Sequence, residues 1–209
     1  MMGCVLAAAA FMVQAPPVPP VSPPASLPPA LKKTINTVRP APQFDGWATP
    51  VRVETDAPPP RAVVYRWWTT SCPWCRRSLP ALEQLRMDYA ARGVQVVAVF
   101  HPKGLTRLTP EAVAVEAKAL GFHGAVAIDT DWSELGRLAG PPGNLSATSV
   151  TLVLDQARRM VHAHRGPAFC PSADLALARE NAGYVALQQA LERLASPKQP
   201  PRPAVPAAE

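Results

Sequence analysis

The stretch Trp67-Trp68-Thr69-Thr70-Ser71-Cys72-Pro73-Trp74-Cys75-Arg76-Arg77-Ser78-Leu79-Pro80 decides how the chain is read. Its cysteine pair sits where an apolar segment, Ala62–Trp68, gives way to an amphipathic one, Leu79–Tyr89. CxxC spacing alone is common to zinc sites and redox sites. A pair placed just after a buried strand, at the start of a helix, favours thiol–disulfide chemistry. There the helix N-terminus offers unpaired backbone N–H groups and the positive end of a dipole, which stabilise a thiolate. Cys72 is expected at the exposed helix start, with Cys75 three residues on over the same face. Pro73 fits the first turn, where no intrahelical donor is lost. Arg76 and Arg77 are expected to add positive charge beside the sulfurs. Trp74, between the cysteines, is expected at the surface, where it can meet an apolar client segment.

Composition bounds what surrounds this pair. More than half of the 27 prolines fall before position 61, and five follow Ser196. Residues 1–15 hold an apolar run of signal-peptide length, with Val13-Gln14-Ala15 resembling a cleavage site, though no Lys or Arg precedes it. The run is short for a membrane span, so it is expected to be a signal or anchor segment. Gly3-Cys4 is alternatively the end of a lipoprotein signal; both readings export the protein, and a cytosolic chain with an apolar end is the plain rival. Residues 16–40 are expected to form an extended proline-rich linker, residues 41–195 the folded domain, and residues 196–209 a disordered proline-rich tail. The net charge of +6 is carried by scattered arginines rather than a basic face with aromatics, which argues against a nucleic-acid partner. With Cys4 removed or lipidated, three cysteines remain, an odd count that suits a redox pair plus one thiol better than a disulfide framework.

The periodicity gives the order of elements. Gln43–Glu54 has two short runs around Gly46 and Pro50 that predict a leading β-hairpin. Ala62–Trp68 is a first core strand. The helix after it carries Cys75, Leu79, Leu82, Leu85 and Tyr89 at helical spacing, with Pro80 inside it and Gly93 ending it. Val94–Phe100 is a continuous apolar run of the kind found in parallel sheets. Thr109-Pro110-Glu111 starts a helix that stops at Gly121. A short strand, Ala125–Ile128, precedes a small helix opened by the capping-box pattern Asp131-x-x-Glu134 and closed by Gly140-Pro141-Pro142. Val150–Leu154 and Met160–His164 form an antiparallel pair, and the last helix carries Tyr184, Leu187, Leu191 and Leu194 on one face. The expected class is α/β: a thioredoxin-like fold, a mixed central sheet flanked by helices, with an inserted β-α unit.

The Trp67–Pro80 block, the proline five residues after the second cysteine and the inserted β-α unit resemble the TlpA/ResA group of thioredoxin-like proteins. The resemblance covers roughly Gln43–Leu194. It implies an exported thiol–disulfide oxidoreductase, often membrane-tethered, that acts on cysteines of client proteins or apocytochromes. It implies Cys72 and Cys75 as the catalytic residues, an electron-donor or acceptor partner, a possible membrane tether at the N-terminus, and no cofactor or metal.

Four departures from that group stand out. Thioredoxins bury an acid six residues before the first cysteine; here that residue is Arg66, expected to reach an edge or a partner because an unpaired buried guanidinium is costly. Ser71 and Ser78 stand where an aromatic and a carboxylate are usual, so Cys75 lacks its ordinary proton-transfer groups. The Pro73-Trp74 dipeptide is closer to glutaredoxin-like pairs than to the Gly-Pro of thioredoxin. Finally, Ser149 takes the place of the cis-proline that faces the CxxC. A non-proline cis bond costs about 2.5–4 kcal/mol, so a trans Thr148–Ser149 bond is expected. Pro73, Trp74, Thr148 and Ser149 are therefore the residues expected to shape the active site.

Helpers are candidates only. His101, directly after the second strand, is a possible proton shuttle, against the alternative of a solvent-facing loop histidine. Cys170 is a possible third thiol in a relay, against a partly buried spare cysteine. His162 and His164 alternate along one strand and read as edge-strand histidines rather than metal ligands. The rival function is a metal-binding or delivery protein in which the same two cysteines, with a histidine, hold Cu(I) or Zn(II), copper being favoured by soft thiolates. A peroxidase reading needs Pro-x-x-x-Thr-x-x-Cys; Thr69 fits, but Tyr65 occupies the proline position.

Overall fold

The computed structural model describes residues 27–51, 58–103, 108–140, 149–166 and 168–196. Within them the elements are α1 (Pro29–Thr34), β1 (Gly46–Thr49), β2 (Ala62–Trp68), α2 (Pro73–Ala90), β3 (Val94–Phe100) and α3 (Pro110–Ala119). They continue with β4 (Ala125–Ile128), α4 (Ser133–Ala139), β5 (Val150–Asp155), β6 (Met160–Arg165), a short 3-10 turn (Leu175–Leu177) and α5 (Ala178–Ala195). The strands form one sheet in the order β1-β4-β3-β2-β5-β6. β2, β3 and β4 run parallel, while β1, β5 and β6 are antiparallel to their neighbours. This is the α/β thioredoxin-like fold, with β4 and α4 as the added unit.

β2 occupies the middle because its residues are buried on both faces. Val64 and Trp68 pack with Leu79, Leu82, Leu85, Tyr184, Leu187 and Leu191, which brings α2 and α5 onto one side. Tyr65 and Trp67 pack on the other side with Leu135 and Leu138 of α4 and Leu31 of α1. The parallel pairing puts the C-terminal ends of β2 and β3 at one edge, so the turn after Trp68 delivers Cys72 there. Trp68 and Phe100 are register partners at that edge.

Three local expectations change. The run at Gly46–Thr49 is a strand, but it pairs with β4 instead of folding back on its own neighbour as a hairpin. Pro50, which has no N–H to give a ladder, follows its last residue, and residues 52–57 lie outside the described residues. The proline-rich stretch is not linker throughout. Its last part forms α1, where Leu31 is fully buried, and Arg39 donates to the Arg137 carbonyl at 2.9 Å. Leu31 and Thr34 are the buried residues of this six-residue helix, whose first turn accepts proline.

The third change is at α4, which is not opened by an Asp131–Glu134 capping box. Asp129 accepts from the Glu134 and Leu135 amides at 3.2 and 3.0 Å and from Trp67 Nε1 at 2.8 Å. Glu134 instead holds Arg137. Trp132 adopts a left-handed φ of 68° just before α4 and lets the chain turn so that Asp129, two residues further back than expected, reaches the helix start. By contrast Thr109 caps α3 as its pattern foretells, accepting from the Ala112 amide.

Among the described residues no helix is long and apolar enough to cross a membrane. The expected signal or anchor segment at residues 1–15, residues 16–26 of the linker, Pro141 and Pro142, Thr148 and almost all of the tail lie outside the described residues.

Candidate active site

Cys72 is the N-cap of α2, with extended backbone angles, and Cys75 lies in the first turn behind it. The chain is held in this corner by the Cys72 amide, which donates to the Thr69 carbonyl, and by the Cys75 amide, which donates to the Cys72 carbonyl at 3.0 Å. Both cysteines are free thiols. Cys72 is half-buried and Cys75 is fully buried, so one sulfur is open to a partner and the other stands behind it.

Ser149, at the start of β5, completes the site. Its Oγ lies 3.4 Å from the Cys72 sulfur and 3.4 Å from the Cys75 sulfur. The residue expected only to shape the site therefore touches both reacting atoms. The Cys75 thiol, the Ser149 hydroxyl and the backbone amides of Cys75 and Trp74 all donate toward Cys72 and hold its thiol down to about 5, against partial burial. Cys75 moves the opposite way. Its donation to Cys72 and its burial raise it above an ordinary thiol, while the nearby charge of Arg66 opposes the rise. The pair is thus split into a thiolate at Cys72 and a protonated thiol at Cys75.

Arg66 does not reach a sheet edge. It sits in the central strand with no exposed surface, the one cation in an otherwise apolar β2. Burying a guanidinium costs several kcal/mol unless it is hydrogen-bonded. Here it donates to Thr151 Oγ1 at 3.0 Å and to Ser78 Oγ at 3.1 Å, and lies 4.9 Å from the centre of the Phe169 ring. Ser78 in turn donates to the Trp74 carbonyl. Ser78, which stands where the resembled group often has a carboxylate, links the buried cation to the turn that carries the cysteines.

The other candidates are placed as follows. Trp74 is 43% exposed beside Cys72, with the Arg77 guanidinium 5.7 Å from its ring centre. Arg77 also approaches Glu180 at 4.0 Å, so it is turned to Trp74 and α5. His101 follows β3 as expected but is fully buried, not solvent-facing; its ring lies 3.9 Å from that of Trp132. Trp132 packs with the second core cluster, whereas both sulfurs pack with the first. Cys170 is half-buried against the same cluster as Cys72, and burial and Glu180 push its thiol up. His162 and His164 lie on the edge strand β6, and burial under α5 keeps both neutral, at about 4 and about 3.

Among the described residues, the one group of three metal-ligating side chains within reach of one another is Asp45, Asp129 and Asp131. Asp129 is committed there to Trp67 and the start of α4. The two cysteines are not joined by a histidine in such a group.

The sheet order and a dithiol at the start of α2 define the class: a thioredoxin-like protein disulfide oxidoreductase, consistent with the TlpA/ResA resemblance. The chain belongs to the Redoxin family, whose profile matches residues 39–176. No curated protein matches the sequence significantly. Solved structures show the same fold. A thiol-disulfide isomerase from Corynebacterium glutamicum superposes with a TM-score of 0.56 at 18% identity, covering 78% of this chain and 98% of that one. A DsbF homologue from Corynebacterium diphtheriae gives 0.54 at 17% identity, over 74% and 85%. A thioredoxin-like protein in its oxidized form gives 0.55 at 18%, over 76% and 95%.

Proposed function

We infer that the protein is an exported thiol–disulfide oxidoreductase that exchanges disulfides with the cysteines of client proteins through Cys72 and Cys75. The observation that carries this reading is the split pair: a half-exposed thiolate at a helix start, with a buried thiol directly behind it and one hydroxyl touching both. The Cys72 thiolate attacks one sulfur of a client disulfide; the client S–S bond breaks, its other sulfur leaves as a thiolate, and a Cys72–client mixed disulfide forms. Cys75 then attacks Cys72 and releases the client thiol. Cys75 gives up its proton as it attacks and the leaving client sulfur takes one up; the Ser149 hydroxyl lies within reach of both the attacking Cys75 sulfur and the attacked Cys72 sulfur. In the reverse direction a client thiolate attacks the Cys72–Cys75 disulfide. An electron donor or acceptor protein resets the pair, and no cofactor is required. Export is supported by the apolar composition of residues 1–15.

The test is catalysis of disulfide exchange in a reduced, unfolded client with native disulfides, in a glutathione buffer. The wild type should speed regain of client activity, and the Cys72→Ser variant should not. Equal rates from both would remove the reading. Signal-dependent recovery from the extracytoplasmic fraction tests export separately.

A further inference from the structure

Beneath the cysteine pair, polar side chains from three neighbouring strands stand in one row. Arg66 on β2 is the register partner of Thr151 on β5, and Thr151 is the partner of His164 on β6. All three are buried on the side of the sheet covered by α2 and α5. Arg66 reaches Ser78 of α2, and a Cβ on Gly183 of α5 would stand 2.6 Å from the His164 ring. Phe169 closes the layer, with Arg66 over its face and the His164 ring 5.7 Å away and nearly perpendicular to it. We propose that Arg66 is a positioning residue that sets the direction of exchange, its fixed buried charge favouring anionic sulfur over disulfide and making the Cys72–Cys75 disulfide an oxidant of client dithiols.

This rests on the exchange reading of the same site and adds its direction. The hydroxyls of Thr151 and Ser78 and the Phe169 ring fix the guanidinium in place without titrating near neutral pH. Arginine stays protonated in proteins, so the charge is permanent. Burial lowers the proton affinity of Arg66, and the charge of the two sulfurs opposes that lowering. His164, the titratable neighbour on β6, is kept neutral by burial and by Arg66 itself. A sulfur anion exists only in the reduced protein. The cation therefore stabilises the reduced form, and a stabilised reduced form is what makes a disulfide oxidising.

The steps balance. A client thiolate attacks the Cys72 sulfur of the disulfide; the Cys72–Cys75 bond breaks and Cys75 leaves as a thiolate beside Arg66. A second client thiolate attacks the client sulfur of the mixed disulfide, and Cys72 leaves as the second thiolate. Two electrons pass from client to protein, the client gains a disulfide, and Cys75 takes up one proton. Thiolates of lower proton affinity leave faster, and Arg66 lowers that of Cys75, the first to leave.

The experiment equilibrates the protein with glutathione and, separately, with reduced thioredoxin as a reference couple. The wild-type disulfide should take electrons from thioredoxin with an equilibrium constant of about a hundred or more. Arg66→Gln, which keeps amide donors for Thr151 and Ser78, and Arg66→Met should each shift the glutathione equilibrium toward disulfide by about tenfold, near 30 mV. A wild type no more oxidising than thioredoxin overturns the proposal even where neither variant folds. So does an unshifted equilibrium in a folded variant. If the wild type shows no reversible equilibrium with either couple, the exchange reading itself falls.

Discussion

Arg66 and Thr151 face each other in the β2–β5 ladder and are joined side chain to side chain at 3.0 Å beneath the two sulfurs. A cation thus occupies the floor of a site whose upper side is a serine hydroxyl shared between Cys72 and Cys75. The Cys72 thiolate is stabilised first by the Cys75 thiol, then by Ser149 and the helix amides, all in place before a client arrives.

Ser149→Ala removes one donor from the Cys72 thiolate. A hydrogen bond to a charged group contributes about 1.5–3 kcal/mol, and the half-exposed sulfur recovers part of it from water. The Cys72 transition near 5 should therefore move up by roughly one unit. Thiolate absorbance near 240 nm reads the shift. Exchange at pH 7 should change little, while exchange below pH 6 should fall.

Differential alkylation checks the order of the three thiols among the described residues. At pH 6 Cys72 should react first, because Cys75 is buried and protonated and Cys170 is raised by burial and Glu180. Mapping label first to Cys170 would contradict the assigned electrostatics. His101→Ala should leave the Cys72 transition in place, since the imidazole packs on Trp132.

The buried histidines make the fold acid-sensitive. His162 and His164 are neutral in the folded protein down to about 4 and about 3, but protonate near 6.5 once unfolded. The unfolded chain then binds more protons, so stability is complete above 6.5 and is lost as pH falls toward 3. Each histidine contributes a slope of up to about 1.4 kcal/mol per pH unit in that window. Denaturant melts of His164→Gln should show a shallower acid limb.

Gly183→Ala should destabilise the fold by about 1–3 kcal/mol despite alanine's better helix propensity. The added Cβ would meet the His164 ring at 2.6 Å, and the Phe169 ring, nearly perpendicular to that ring, lies 5.7 Å from it. A higher melting temperature in this variant would mean that the polar layer repacks freely.

The order of strands and helices was legible because the apolar runs and the helix signals alternate clearly, from Ala62–Trp68 through to Tyr184–Leu194. Cys72, Cys75 and the exposed Trp74 follow from the same pattern. Arg66 was visible as an oddity within AVVYRWW, yet its surroundings were not. Its partners come from register: Thr151 inside VTLVL and His164 inside MVHAH are each a polar residue in an apolar run, and only the ladder aligns them. The same limit hid the Asp129 cap, which depends on a left-handed turn at Trp132 that no tryptophan signals. α1 was hidden by the proline content around it, although Leu31 and Thr34 are spaced for a buried helical face.

Redox state should change stability in a fixed sense. The Cys72 proton affinity is depressed in the folded, reduced protein, so the stabilisation is full above about 9 and is lost as pH falls through about 5. At pH 8 the reduced protein should melt higher than the oxidised one. After allowing for solvent screening, the gap should be roughly 1–2 kcal/mol, or about 3–6 °C. It should close toward pH 5.

The most direct test of the assigned chemistry is trapping of the mixed disulfide with a client carrying one accessible disulfide. Cys75→Ser should accumulate a covalent complex through Cys72 that dithiothreitol releases, and Cys72→Ser should accumulate none. Equal trapping by both variants, or by neither, would contradict the account in which Cys72 attacks and Cys75 resolves.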